Sequence, residues 1–443
     1  MKQIYAIIFA LSMIVLPSLC AAQVCNDIVI PKSAISDDAK VLKIQSALDD
    51  YKQGGKYGIC FKFEEPFAVK SNFMTKPFTL TIPSGETHDV YIDGLQLENH
   101  DANHITFPFL IIDNNGRGTV TLKITSITDV RNGLVLQGSG KIKIVESVIS
   151  GDDSDGVCVA VNSYNAVIQG SDISHCKEGI RINASETLKG IPINAGEALI
   201  GAEDSDHADT DMNVIHNNEY GIHLIKGNHN KWAYNLIYDN VPKVGEPSAQ
   251  NAIWIENDAN EGLKPLEAIL YQGEDDEDYA MRCERDEAGK VIKRELKFKL
   301  PPQKGEVSVF ETSAANYEGN KQPKRYLTHC RLDKYGMCDL GTLPTDVMAK
   351  IKEGECGIDD FFITAIFTGT SSSELMHDPL PFDGYSSVIL VGDDLPVSMP
   401  GATDTAIESG GDINITDDNI TTDNEEEVVA SSGGSSMGGE GIA

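Results

Sequence analysis

Residues 34–52 carry one helical pattern. Val41, Ile44, Leu48 and Tyr51 recur at three- and four-residue steps, and Leu42 widens the apolar face. Ser36, followed by Asp37 and Asp38, supplies an N-terminal cap, and Gly54-Gly55 stops the helix. Beyond it the helical period gives way to short β runs: Phe61 to Phe63, Phe78 to Ile82, Val90 to Ile92, Phe109 to Ile112 and Thr119 to Ile124.

From about residue 118 the runs repeat. Four segments read glycine, apolar, any, apolar: Gly133-Leu134-Val135-Leu136, Gly156-Val157-Cys158-Val159, Gly179-Ile180-Arg181-Ile182 and Gly221-Ile222-His223-Leu224. Ala252-Ile253-Trp254-Ile255 is a fifth, with Ala for Gly. Gly133, Gly156 and Gly179 stand 23 residues apart, and Gly221 follows after 42, one repeat plus an insertion. Two more apolar runs precede each glycine, such as Ile142 to Val145 and Val148-Ile149 before Gly156. Three short strands at a fixed period mean a solenoid. One coil cannot bury its own inner side chains, so coils must stack.

This pattern resembles the right-handed parallel β-helix, the pectin-lyase-like fold, over roughly residues 24 to 262. The clearest coil is Asn213-Val214-Ile215-His216-Asn217-Asn218-Glu219-Tyr220-Gly221-Ile222. Asparagine before a glycine-apolar strand is a hallmark of that family, where its amide tolerates a left-handed bend and bonds to its neighbours in the stack. The resemblance also implies a cap covering the first coil, which the helix at 34–52 supplies. The fold expected is all-β: a β-helix over 23–264, then a different region over 265–384. There Glu306 to Phe310, Lys324 to Leu327 and Phe362 to Ile366 resemble a small immunoglobulin-like sandwich of the kind that follows bacterial β-helices. Residues 385–443 read as a disordered tail. No Lys or Arg follows Lys352, Asp423 to Glu427 is an acidic run, and Ser431 to Gly441 is rich in Gly and Ser.

Composition adds an address. Lys2, the apolar stretch Ile4 to Leu19 and the small-residue site Cys20-Ala21-Ala22 before Gln23 read as a secretory signal over 1–22. The product is expected to be secreted, at the cell surface or in the periplasm, with no membrane span after cleavage. Cleavage removes Cys20 and leaves cysteines 25, 60, 158, 176, 283, 330, 338 and 356, an even set that fits disulfides in an oxidising compartment. The sequence does not fix the pairing; Cys25 with Cys60 is the clip expected at the N-terminal end. Cys330 and Cys338 pair with each other or with Cys283 and Cys356. A zinc site is the rival, but no two cysteines have the two-residue spacing of a metal knuckle. The net charge of −32 excludes nucleic acid and anionic membranes as partners and is compatible with a cation such as calcium.

Candidate chemistry lies on the outer face of the coils. In the glycine-apolar-any-apolar strand the middle residue points outward. Stacking is expected to align Val135, Cys158, Arg181, His223 and Trp254, with Gln137, Ala160, Asn183, Ile225 and Glu256 in a second row. Sugar rings stack on indole faces, and Arg and His bind hydroxyls or carboxylates. Arg181, Asn183, His223, Trp254 and Glu256 are therefore the expected substrate-binding residues, weighed against an ordinary solvated face. Pectin hydrolases use paired carboxylates, and lyases use a metal or basic residue to remove a proton beside a uronate. Catalytic candidates on that analogy are Asp152, Asp153, Arg181 and His223. The Arg181-Ile182-Asn183 element resembles the Arg-Ile-Lys of polygalacturonases but has Asn183 for Lys, and the Gly-His-Gly and Asn-Thr-Asp elements are missing. Asp204, Asp206, Asp209 and Asp211 are the calcium candidates, in a loop expected to form the lip of the Arg181 groove. Cys176, three residues before its glycine like Asn218, is expected inside the stack. The function expected is recognition of an extracellular or surface polysaccharide. A polysaccharide lyase or glycoside hydrolase is the alternative, and a structural surface spacer the third reading.

Overall fold

The structure is a computed structural model. It describes residues 25–51, 58–100, 105–241 apart from 154, 164, 184–186, 189–190, 193–197, 204 and 228–229, then 252–256, 259 and separate segments between 267 and 386. The signal segment and, except for Tyr385–Ser386, the tail lie outside the described residues.

The repeated runs form three parallel sheets, one of eight strands and two of seven, in which each strand pairs with its counterpart in the next coil. The chain is a right-handed parallel β-helix. In chain order within a coil, the eight-stranded first sheet holds strands such as Val120–Lys123 and Ile142–Val145, the second holds Ser126–Val130 and Val148–Gly151, and the third carries the glycine-apolar-any-apolar strands. They are Phe78–Ile82, Leu110–Asn114, Leu134–Gly138, Val157–Ser163, Glu178–Asn183, Tyr220–Lys226 and Ile253–Ile255. Register brings Leu80, Ile112, Leu136, Val161, Ile182, Leu224 and Ile255 into one inward column. All but Ile255 are fully buried. Each such side chain contributes about 1.5–3 kcal/mol by leaving water, so the column fixes the register.

Turning a coil requires left-handed backbone, and the sequence supplies it in two columns. Ile124, Glu146, Gly170 and Tyr234 have positive φ between the first and second sheets, and Asp129, Asp153, His175, Asn217 and Asp239 between the second and third. After the first-corner bends, and after Asn217 and Asp239, comes a buried residue with polar atoms: Thr125, Ser147, Ser171, Asn235, Asn218 and Asn240. At the first corner the backbone N–H of Thr125 donates to Ser147 Oγ, Ser147 to Ser171 Oγ, Ser171 to Asn213 Oδ1 and Asn213 to Asn235 Oδ1, at 3.0–3.3 Å. At the second, Cys176 N–H donates to Asn218 Oδ1 and Asn218 N–H to Asn240 Oδ1, both at 3.0 Å. The expected asparagine ladder is therefore present, but the left-handed residue is Asn217, one position earlier than the ladder residue Asn218.

Both ends of the stack are closed. The cap helix runs Asp37–Asp49, with Ser36 Oγ accepting from Ala39 N–H, and buries Ile44 and Leu48. Its Gln45 side chain donates to Thr79 O and accepts from Thr79 N–H, pairing the open edge of the third sheet. Leu42 is 70% exposed and does not widen the buried face. At the other end stand two antiparallel four-stranded sheets. One contains Gly305–Thr312, Pro323–Arg331 and Phe362–Gly369. Gln322, beside it, continues the ladder: its Oε1 accepts from Asn240 N–H at 2.9 Å and its Nε2 donates to Asn240 O at 2.6 Å. Tyr326 meets Tyr234 edge-on at 5.5 Å, and Phe310 joins the β-helix core.

Cysteine chemistry follows the expectation in part. Cys25–Cys60 is a disulfide and Cys330 is disulfide-bonded. Cys176 holds the ladder position expected of it, yet it is joined to Cys158. Cys158 is fully buried, not outward. The reason is register. Leu134 pairs with Val159, and Val159 with Ile180, which puts Cys158 level with Gly133 and Gly179. Ala160, not Cys158, therefore stands in the outer row.

Candidate functional site

The outer row of the third sheet is Thr79, Ile111, Val135, Ala160, Arg181, His223 and Trp254. The last three sit on adjacent coils in direct register, as expected. Glu178 and Tyr220, paired with each other at the start of their strands, reach the same face. Arg181 holds Glu178 with two donors: Nε bonds Oε2, and Nη2 bonds Oε1 at 2.5 Å. His223 lies between two carboxylates, with Nδ1 3.3 Å from Glu178 Oε2 and Nε2 3.2 Å from Glu256 Oε1. Trp254 stacks flat on the imidazole, centroids 4.1 Å apart at 4°, and Tyr220 packs against the indole at 4.8 Å.

Burial sorts these residues into two layers. Glu178 and His223 are 4% and 6% exposed, whereas Arg181, Trp254 and Glu256 are partly exposed and Asn183 is exposed. The buried pair lies beneath, and the other four reach the surface. Burial alone would raise the Glu178 carboxyl. The hydrogen bonds from Arg181, with His223 beside it, outweigh that and hold it at about 2. The same pair holds the Arg181 guanidinium protonated against its own partial burial. A glycosidase acid needs a raised carboxyl pKa, and a basic residue that removes a proton must first lose its own. Glu178 and Arg181 are locked in the opposite states.

The remaining candidates lie elsewhere. Asn183 pairs with Lys226 across a register shift at the strand end. Asp152 and Asp153 form the turn between the second and third sheets, with Asp153 in the left-handed region and its N–H donating to His175 O at 3.0 Å. The acidic segment is not the lip of the Arg181 groove. The chain first returns to the first sheet at Leu199–Gly201, so Ser205–His207 and Ala208–Asp211 form the corner between first and second sheets. Asp211 there accepts from Gln169 Nε2 at 3.1 Å, Asp206 and Asp209 are exposed, and Asp204 lies outside the described residues. Among the described residues these carboxylates do not gather into a three-ligand set. The insertion part that follows the Arg181 strand holds instead the small hairpin Thr187–Leu188 and Ile191–Pro192.

Sequence reasoning missed Glu178 and Tyr220. Each immediately precedes a repeat glycine, which is the signal that marks them. It also missed an aromatic-acidic set on the second sheet, where His216 lies 3.2 Å from Asp172 Oδ1 and stacks on Tyr238 at 5.4 Å.

Residues 78–263 match the model of a family described as periplasmic copper-binding protein (NosD), so the similarity covers most of the β-helix. No curated protein matches the chain in sequence. The protein is an exported one: Cys25–Cys60 and Cys158–Cys176 are disulfides, and the matched family is described as periplasmic. No helix among the described residues is long and apolar enough to cross a membrane. A copper ion needs several converging soft or imidazole donors. Among the described residues the converging group is Cys25, Asp27 and Cys60, and its two cysteines are joined in a disulfide. With their thiols consumed, these residues do not fit a copper ion.

Proposed function

We propose that this exported β-helix binds a glycan along the outer face of its third sheet, with Trp254, Arg181, Glu256 and Asn183 as the contact row. One observation carries the reading: Trp254, the partly exposed aromatic of the row, stacks on a buried histidine that lies between two carboxylates and is hydrogen-bonded to one of them, Glu256. A rigid indole edge beside fixed polar groups suits sugar rings and their hydroxyls. Because Glu178 already neutralises Arg181, this face favours hydroxyls over uronate carboxylates. The hydrolase alternative needs a protonated carboxylic acid and the lyase alternative an unprotonated basic residue, and Glu178 and Arg181 are held in neither state.

Affinity electrophoresis of the mature protein through gels containing a panel of neutral and acidic polysaccharides tests this reading, with product analysis by mass spectrometry in parallel. Retardation that Trp254→Ala and Arg181→Ala reduce, with no fragments released, is the expected result. Retardation unaffected by either substitution would sink the site, and fragments would move the reading to an enzyme.

The matched family's description brings copper binding as a second reading. Titration with Cu(II) before and after reduction separates the donors. Uptake that appears only after reduction and is lost in Cys25→Ser/Cys60→Ser assigns Cys25, Asp27 and Cys60, and uptake with the disulfides intact assigns other residues.

A further inference from the structure

The corner between the third sheet and the next strand of the first sheet holds a cavity of about 500 Å³. It crosses successive coils, because its lining comes from the loops after Ile82, Asn114, Gly138 and Ser163. Ser84, Asn115, Ser139 and Asn165 line it with hydroxyls and amides, and Arg117 and Lys141 are its charged residues. Among the described residues no carboxylate and no aromatic ring lines it.

The site is built by the fold. Asn114 is fully buried beneath it. Its Nδ2 donates to Gly118 O at 3.0 Å and Lys141 O at 2.8 Å, and its Oδ1 accepts from Gly116 N–H at 3.0 Å. A Cβ on Gly140 would come within 2.5 Å of that amide, so the floor requires glycine. Arg117 is tied by its own N–H to Glu86 O. The backbone N–H groups of Asn115, Gly116, Arg117 and Gly140 are thus spent on the fold, which leaves the side chains as the main recognition groups.

Arg117 and Lys141 are exposed, and among the described residues neither has a carboxylate partner. That is notable in a chain of net charge −32. They stand on adjacent coils, about 4.8 Å apart along the axis, a spacing that lets one anionic group meet both. The volume falls in the range of small-molecule sites, about 300–1,000 Å³. The overall negative field repels a long polyanion, and among the described lining residues there is no ring for a base to stack on.

We infer that this corner cavity is a second binding site, for a short acidic sugar whose carboxylate lies between Arg117 and Lys141 while Ser84, Asn115, Ser139 and Asn165 take its hydroxyls. The inference does not rest on the Trp254 face.

Calorimetry on the full mature chain tests it with tri-galacturonate, neutral galactotriose and inorganic sulfate. Tri-galacturonate is expected to bind, and more weakly as salt rises. The double variant Arg117→Ala/Lys141→Ala should lose at least about tenfold in affinity at an unchanged melting temperature, since both side chains are exposed. Ser139→Trp should block the cavity, and Trp254→Ala should leave this binding intact. Full affinity in both the double variant and Ser139→Trp overturns the proposal, as does equal binding of galactotriose or no binding of tri-galacturonate. Sulfate binding that depends on Arg117 and Lys141 without tri-galacturonate binding overturns the sugar. Binding lost only in Trp254→Ala moves the ligand to the other face.

Discussion

The outer row of the third sheet changes character along the stack while its backbone does not. Thr79, Ile111, Val135 and Ala160 fill the first four coils, all partly exposed and uncharged. Arg181, His223 and Trp254 fill the next three, with Glu178, Tyr220 and Glu256 gathered around them. The inward column beside both halves is the same aliphatic series. Stacking thus fixes the inside and leaves the outside open, so chemistry can be placed on chosen coils without altering the fold. The corners show the same logic. Each ladder residue satisfies a buried N–H of the coil before it, and Gln322 satisfies the last one from another sheet.

The comparison is sharpened first at the boundary between inside and outside. Ile180→Ala, at a fully buried position next to Arg181, should cost about 2–5 kcal/mol, whereas Val135→Ala in the outer row should stay within about 0.5 kcal/mol. Denaturant melts decide it, and similar losses would mean that the outer row is packed.

Acid exposes the next difference. The Glu178 carboxyl is held at about 2 against an ordinary 4.5. A depressed carboxylate stabilises the fold above its unfolded pKa and loses that contribution as pH falls through the folded value. The difference corresponds to about 3 kcal/mol. Glu178→Gln should therefore be less stable by about that amount at pH 7, with the gap closing between pH 4.5 and 2. A pH-independent gap would show that the loss is packing and not charge.

The ladder's end gives a smaller effect. Gln322→Ala strips Asn240 of its partner and should cost about 1–3 kcal/mol. Hydrogen exchange should then quicken first in the last coil. Faster exchange at the cap-helix end instead would break the view that each end is closed locally.

Much of this was legible in the chain. The glycine-apolar-any-apolar repeat marks the third sheet because the inside of a coil admits few side chains. Ala252 stands where the glycine column predicts it. Arg181, His223 and Trp254 were found because register carries middle residues into one row. Cys158 was misplaced because an even period of 23 hides two unequal coils. The level residues Gly133, Cys158 and Gly179 show the true pairing, and sequence spacing alone cannot see it. Glu178 escaped because its meaning lies in His223, one coil and an insertion away. The acidic segment was put beside the wrong sheet because a single insertion was assumed, where the chain in fact returns to the first sheet at Leu199–Gly201 midway.

The chain has two tryptophans, and Trp232 is fully buried within the last coil. Trp254 is therefore a reporter at the proposed face. Titrating the polysaccharide that retards the protein most should shift the intrinsic fluorescence of the wild type, and the shift should vanish in Trp254→Phe while Val135→Ala keeps it. A shift that persists in Trp254→Phe, or saturating binding with no shift, would contradict glycan binding on the third sheet.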